Sequence, residues 1–181
     1  MTDARSFPMR PFLKADTERL QDLVAQSIEM LTTEEYDDNE RIAWMSRVAD
    51  AEAFAVRLSR NVTILVESDG DILGFGSLRD TDDKARREID LLYVHPYAAS
   101  QGVGSALLDA LERIARARGA ETMTVDSSDT AHDFFERRGY QGIRRNTIPI
   151  DDVWLTNTTM MKPLVKGGAG KAAGSESEKK P

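Results

Sequence analysis

Apolar residues recur along this chain at two different spacings, and the change from one to the other divides it into elements. Leu20, Leu23, Val24, Ile28 and Leu31 keep a helical period over Thr17 to Leu31, with Asp16 standing where an N-cap would. A second helix is predicted from about Asp38 to Leu58, with Ile42, Met45, Val48 and Ala49 on one side. Ahead of both, Met9-Arg10-Pro11-Phe12 reads as a short strand at a sheet edge, where proline is tolerated. The period then changes. Val62-Thr63-Ile64-Leu65-Val66 is β-branched and compact, and Asp69-Gly70 signals a tight turn into a strand at Ile72 to Leu78. Asp80 to Arg87 is charge and turn formers, a loop, and Glu88 to Val94 is the next strand. A helix from Val103 to Arg118 stops at Gly119, as a left-handed cap requires. Thr122 to Val125 is a short strand, and Ser128 or Asp129 caps a short helix that stops at Gly139. Strands at about 140–148 and 153–161 close the pattern.

This order predicts a mixed α/β (α+β) fold, with a mostly antiparallel sheet of about seven strands and about four helices. The strand at 88–94, its helix and the strand at 122–125 form a crossover unit, so those two strands should be parallel. One domain is expected over 1–165. Residues 166–181 are Gly, Ala, Ser, Lys and Glu without a periodic apolar position, and are expected to be a disordered tail.

Composition narrows the function. The chain has 181 residues, 40% hydrophobic and 30% charged, which suits one soluble domain. It has no cysteine, which excludes disulfides, thiolate zinc sites and a cysteine nucleophile. His95 and His132 do not sit at ligand spacing, so no metal is expected. No apolar run reaches membrane-spanning length and Met1 to Arg10 is polar, which makes a cytoplasmic location the default and a membrane partner unexpected. With 31 acidic against 24 basic residues the net charge is −7, which disfavours nucleic acid as a partner.

The chemistry concentrates after the strand at 88–94. Gln101-Gly102-Val103-Gly104-Ser105 stands where a turn becomes a helix. The first N–H groups of a helix lack partners and its dipole is positive there, so an anion is favoured, and missing β-carbons let a pyrophosphate approach the backbone. Two glycines alone also fit a tight turn with no ligand. A Rossmann site fails because its third glycine would fall at Leu107, and a P-loop fails because no Gly-Lys-Ser/Thr follows.

Leu91-Leu92-Tyr93-Val94-His95-Pro96, then Gly102-Val103-Gly104-Ser105-Ala106-Leu107-Leu108, then Phe134-Phe135-Glu136-Arg137-Arg138-Gly139-Tyr140 together resemble the GNAT superfamily of N-acetyltransferases. The resemblance runs from about Met9 to Leu164. It implies acetyl-CoA as co-substrate, bound where the fourth and fifth strands splay apart. Leu92, Tyr93 and Val94 would be the cofactor-binding strand, with backbone groups of Leu92 and Val94 pairing with the pantetheine arm. Gln101, Gly102, Val103, Gly104 and Ser105 would hold the pyrophosphate, and Phe134 and Phe135 would border the thiol. The chain departs from the family at Ala99 and Ser100, where an Arg or Gln and a Gly are usual, and at Phe135, where many members carry a tyrosine that protonates the thiolate.

Acetyl transfer to an amine needs a base, an oxyanion donor and an acid for the leaving thiolate. Glu88 is the candidate base on the strand leading to the site, at a position where some members keep a catalytic glutamate. Asp90 is a second candidate, and alternation puts both on one face unless a bulge intervenes. The Val94 N–H is the candidate oxyanion donor, and Ser127 or Ser128 the candidate acid, beside solvent. His95 and Tyr140 read as structural, and His132 as a surface residue. Tyr36 and Trp44, beside the acids of residues 32–40, are candidates for binding the amine, whether a small molecule or a peptide. The acids also fit charges placed at a helix N-terminus. Transfer is expected by direct attack in a ternary complex. Many relatives are dimers, so a homodimer is implied by the resemblance. A function of another class fits the same departures: an acyl-CoA-binding module that senses rather than catalyses.

Overall fold

The structure, a computed structural model, describes residues 7–164; the tail expected over 166–181 lies outside them. Seven strands form one sheet in the order β1-β2-β3-β4-β5-β7-β6. They are β1 Met9–Pro11, β2 Val62–Ser68, β3 Asp71–Asp80, β4 Arg86–Val94, β5 Thr122–Ser127, β6 Gln141–Ile150 and β7 Val153–Pro163. The helices are α1 Thr17–Leu31, α2 Asp38–Ser46, α3 Ala51–Arg60, α4 Val103–Ala117 and α5 Asp129–Arg137. Every neighbouring pair is antiparallel except β4–β5, which is parallel as the crossover through α4 requires. Among the described residues, no helix is long and apolar enough to cross a membrane.

Two local expectations are corrected. The helix expected from Asp38 to Leu58 is two helices, giving five rather than four. Asp37 and Glu40 exchange hydrogen bonds in a capping box that starts α2. Asp50, in extended conformation, accepts from the Ala53 N–H and starts α3. The break resets the helical phase, so Ile42, placed on the apolar side, is exposed, while Ala43 and Val48 are buried. Asp16 does not cap α1 with its side chain. Its carboxylate accepts from the Leu13 N–H and takes two bonds from Arg10, at 2.7 and 2.8 Å, tying β1 to the start of α1. These contacts, the Arg10 bonds first, hold its pKa below the ordinary carboxylate value.

The sheet is covered on both faces. α1 and α3 pack Leu20, Val24, Ile28, Phe54 and Leu58 against Leu65, Phe75 and Leu91. On the other face α4 and α5 set Leu108, Leu111 and Phe135 against Leu78, Ile89, Met123 and Met160. Gly74 and Gly76 on β3 let α4 sit close. A β-carbon at Gly76 would lie 2.8 Å from Leu111 Cδ1, and one at Gly74 2.9 Å from the Tyr93 carbonyl oxygen. Between Leu78↔Ile89 and Ser77↔Leu91 the β3–β4 register slips, so Asp90 has no residue opposite it. Ile89 therefore packs on the α4 side, while Leu91 packs on the α1–α3 side.

One charge is buried inside the α4 layer. Glu112 accepts from Lys162 Nζ at 2.7 Å, Arg116 Nη2 at 3.0 Å and Tyr140 Oη at 3.2 Å. Glu112→Ala would strand Lys162 and leave a hole beside Tyr140. It is expected to cost about 3 kcal/mol in urea unfolding, the low end for a broken buried pair because Lys162 can turn toward water. A loss under about 1 kcal/mol would show the pair to be dispensable.

Candidate active site

β4 and β5 pair through four residues each, from Arg86↔Thr122 to Ile89↔Val125, and then part. On its other edge β4 stays bound to β3 up to Gly74↔Val94. The His95 N–H donates to the Leu73 carbonyl at 2.9 Å. Because an antiparallel ladder alternates, Tyr93 also faces β3, and Leu92 and Val94 turn their N–H and C=O groups toward the gap left by β5. The gap opens into a groove of about 800 Å³. Unpaired strand edges in such a place are templates for an extended ligand.

At one end the groove meets the turn into α4. The turn needs two left-handed residues, Ser100 (φ 60) and Gly102 (φ 94). Ala99, Ser100, Gly102, Gly104 and Ser105 line the groove beside Val94 and Phe134. Two residues expected with them do not. Val103 is buried among Val66, Ala98 and Leu107, and anchors the turn from below. The Gln101 side chain donates to the Tyr97 carbonyl. Phe134 stands where a β-carbon on Gly104 would touch it at 3.7 Å, whereas Phe135 is buried against Tyr140, their rings 5.3 Å apart. Arg137, on the last turn of α5, also lines the groove and has no ion-pair partner among the described residues. Sequence reasoning passed it over. The signal was its place in the Phe-Phe-Glu-Arg run, one helical turn past Phe134.

At the other end the groove opens on the α1–α2 side. Glu88 lines it, with Oε1 accepting from Arg79 Nη2 at 2.6 Å. Asp90 shares that side, since both reach Arg79, but its carboxylate is nearly buried. It accepts from Arg57 Nε and Nη2 at 2.8 Å each and from Asn61 Nδ2 at 2.9 Å. Ser127 is buried, and its hydroxyl donates to the Ser128 carbonyl at 3.0 Å. Ser128 Oγ accepts from the Ala131 N–H, capping α5. Tyr36 and Trp44 come together as a wall, ring centroids 5.2 Å apart. Trp44 Nε1 donates to Tyr93 Oη at 3.0 Å. Tyr36 Oη accepts from the Asp129 N–H at 2.9 Å and donates to the Thr156 carbonyl at 3.1 Å. Burial raises the pKa of both tyrosines, that of Tyr93 to about 12.

The acids of the α1–α2 loop are elsewhere. Glu35 accepts from Thr130, Asp37 and Glu40 cap α2, and Asp38 pairs with Arg41; none of these four lines the groove. Tyr140 bonds the buried Glu112, and burial followed by that carboxylate pushes its pKa up. His95 packs on Tyr97 at a ring distance of 3.9 Å. His132 neighbours Asp133 and Glu136 on α5, and does not line the groove.

Residues 32–162 match the Acetyltransferase (GNAT) domain family. The chain belongs to this family. A solved GCN5-related N-acetyltransferase from Rhodopseudomonas palustris superposes with a TM-score of 0.83 at 42% identity, over 88% of this chain and 97% of that one. The uncharacterized N-acetyltransferase YafP of Escherichia coli is 26% identical over 152 residues, 84% of this chain and 93% of that protein. The PaiA N-acetyltransferase of Thermoplasma acidophilum, solved in complex with coenzyme A, shares the fold at 17% identity, with a TM-score of 0.74 over 88% of this chain and 99% of that one. This GNAT enzyme thus carries the expected sheet and the expected split, with serine at a left-handed position of the turn. That conformation costs a non-glycine residue roughly 1–2 kcal/mol, partly offset because glycine loses about 0.4–1 kcal/mol more freedom on folding. Ser100→Gly is expected to raise stability by about 0.5–1 kcal/mol in urea unfolding; a loss would contradict the strain.

Proposed function

We propose that the protein transfers an acetyl group from acetyl-CoA to a primary amine, in one ternary complex. The observation carrying this reading is the split itself. Backbone groups of Leu92 and Val94 face a groove that runs from the α4 turn on one side of the sheet to the Tyr36–Trp44 wall on the other. The thioester enters from the α4 side and the amine from the α1–α2 side. That PaiA, which shares this fold, was solved in complex with coenzyme A supports the choice of co-substrate.

The pyrophosphate lies against the start of α4, at Gly102, Gly104 and Ser105, where unpaired N–H groups and the helix dipole favour it. Arg137 supplies the cation that Ala99 cannot. The pantetheine arm pairs with Val94 and then reaches Leu92. Strand residues rise about 3.3 Å each, so Leu92 lies about 13 Å along β4 from Glu88 and Val94 about 20 Å. The deeper N–H, that of Leu92, is therefore the oxyanion donor, and Val94, chosen for that role from the sequence, orients the arm.

The ammonium loses a proton to Glu88 through a water, and the free amine attacks the thioester carbonyl. The C–N bond forms, negative charge gathers on the oxygen facing the Leu92 N–H, and the C–S bond breaks. Glu88 passes the first proton on to solvent and takes the second amine proton, and the thiolate takes one from solvent, since Phe135 has none to give and Ser127 donates to a carbonyl. The products are an amide, free thiol and one proton. Asp90 acts as a positioning residue: Arg57 and Asn61 occupy its oxygens, and with Glu88 it flanks Arg79.

The missing acid at Phe135 favours one other reading, an acyl-CoA sensor, which predicts binding without turnover for any amine. Glu88→Gln is expected to lower kcat by about 10²–10³-fold in a thiol-release assay, with acetyl-CoA affinity by calorimetry unchanged. An unchanged kcat would remove Glu88 from the mechanism. Arg137→Ala should raise the KM for acetyl-CoA about tenfold and leave kcat near its original value; an unchanged KM would take Arg137 out of the phosphate site.

A further inference from the structure

The α1–α2 side of the groove holds two donors that the transfer chemistry does not use. They bear on the class of acceptor, and the argument rests on the acetyltransferase reading. Among the charged side chains lining that side, Arg57, Arg79, Glu88 and Asp90 satisfy one another through ion pairs of 2.6 to 3.5 Å. Asp126 accepts from Thr159 Oγ1 at 2.6 Å and lies in the field of Arg79. Arg47, at the end of α2, stands apart. It lines the groove, and no carboxylate pairs with it among the described residues.

Tyr93 is the second donor. Its oxygen already accepts from Trp44 Nε1, so what it can still offer is its own proton, which has no acceptor among the described residues. Burial keeps that proton in place across the physiological range. Arg47 lies within electrostatic reach of this hydroxyl. A guanidinium and a phenol beside the rings of Tyr36 and Trp44 suit an anion lying against a largely apolar wall. The reacting end has the opposite sign, with Glu88, Asp90 and Asp126 against Arg57 and Arg79. One molecule that satisfies both ends carries an ammonium and a carboxylate. The groove must also take the thioester arm, so what remains suits a small acceptor. A polyamine would instead set a second cation against Arg47.

We propose that the acceptor is a small amino acid, its carboxylate held by Arg47 and Tyr93 Oη while its amine reaches the split beside Leu92. The test uses the full chain in a thiol-release assay, with α-, β- and γ-amino acids against their carboxamides and against simple alkylamines. At least one free amino acid should be turned over with a kcat/KM ten or more times that of its amide. Arg47→Ala and Tyr93→Phe should each raise the KM for that acid tenfold or more, with the KM for acetyl-CoA unchanged, and Arg47→Lys should recover part of the loss. Amides or alkylamines used as well as the acids, or an Arg47→Ala enzyme with an unchanged KM, would overturn the proposal. If acetyl-CoA binds but no amine releases thiol, calorimetry of the CoA-loaded protein with the same amino acids decides. Heat that Arg47→Ala abolishes supports the site, and no heat overturns it. Failure to bind acetyl-CoA at all would be a different result, sinking the acetyltransferase reading and this proposal with it.

Discussion

A backbone N–H or C=O inside a protein needs a partner, and β4 turns those of Leu92 and Val94 toward a strand that has already left. The rest of the site follows from this departure. β5 can part only because it is tied on its far side to β7 along its whole length, from Thr122↔Pro163 to Ser127↔Thr158. β4 keeps its line because β3 holds its other edge, and α4 is drawn against β3 by the two glycines whose missing β-carbons make room for Leu111 and Val103. The same close approach brings the start of α4 to the mouth of the gap.

The slip at Asp90 serves the opposite face. It places a nearly buried carboxylate against Arg57 and Asn61, and so fixes the start of the splayed segment to α3 and the residue after it. A buried ion pair contributes little net stability once desolvation is counted, so its value here is positional. Arg79 then bridges Asp90 to Glu88, which fixes the side chain proposed as the base. Backbone chemistry thus faces the gap, while the titratable groups gather on the α1–α2 side.

Much of this was readable from the residues, for identifiable reasons. Helix α1, the hairpin at Asp69-Gly70 and the parallel β4–β5 pair follow from periodicity, turn chemistry and the handedness of crossovers, which are local or topological. Leu92 and Val94 were named through the family resemblance, and the alternation of the β3–β4 ladder is what turns their backbone groups toward β5. The break in the second helix was missed because Asp50 is an ordinary helix-surface residue until its side chain turns back to the Ala53 N–H. The acids of the α1–α2 loop fit either an amine or the start of a helix, and the second reading is the one their capping and local pairs match. Arg47 gave no sequence signal and Arg137 only its place after Phe134-Phe135, since an arginine matters here only when no carboxylate folds against it.

The central claim is that the β5 side of Leu92 and Val94 is the thioester site, and amide hydrogen exchange resolved by residue tests it most directly. Adding acetyl-CoA should strongly slow exchange at Leu92 and Val94, while Tyr93 and His95, bonded to β3, stay protected with and without it. Unchanged exchange at Leu92 and Val94 in a protein shown to bind acetyl-CoA would place the ligand elsewhere and contradict the account.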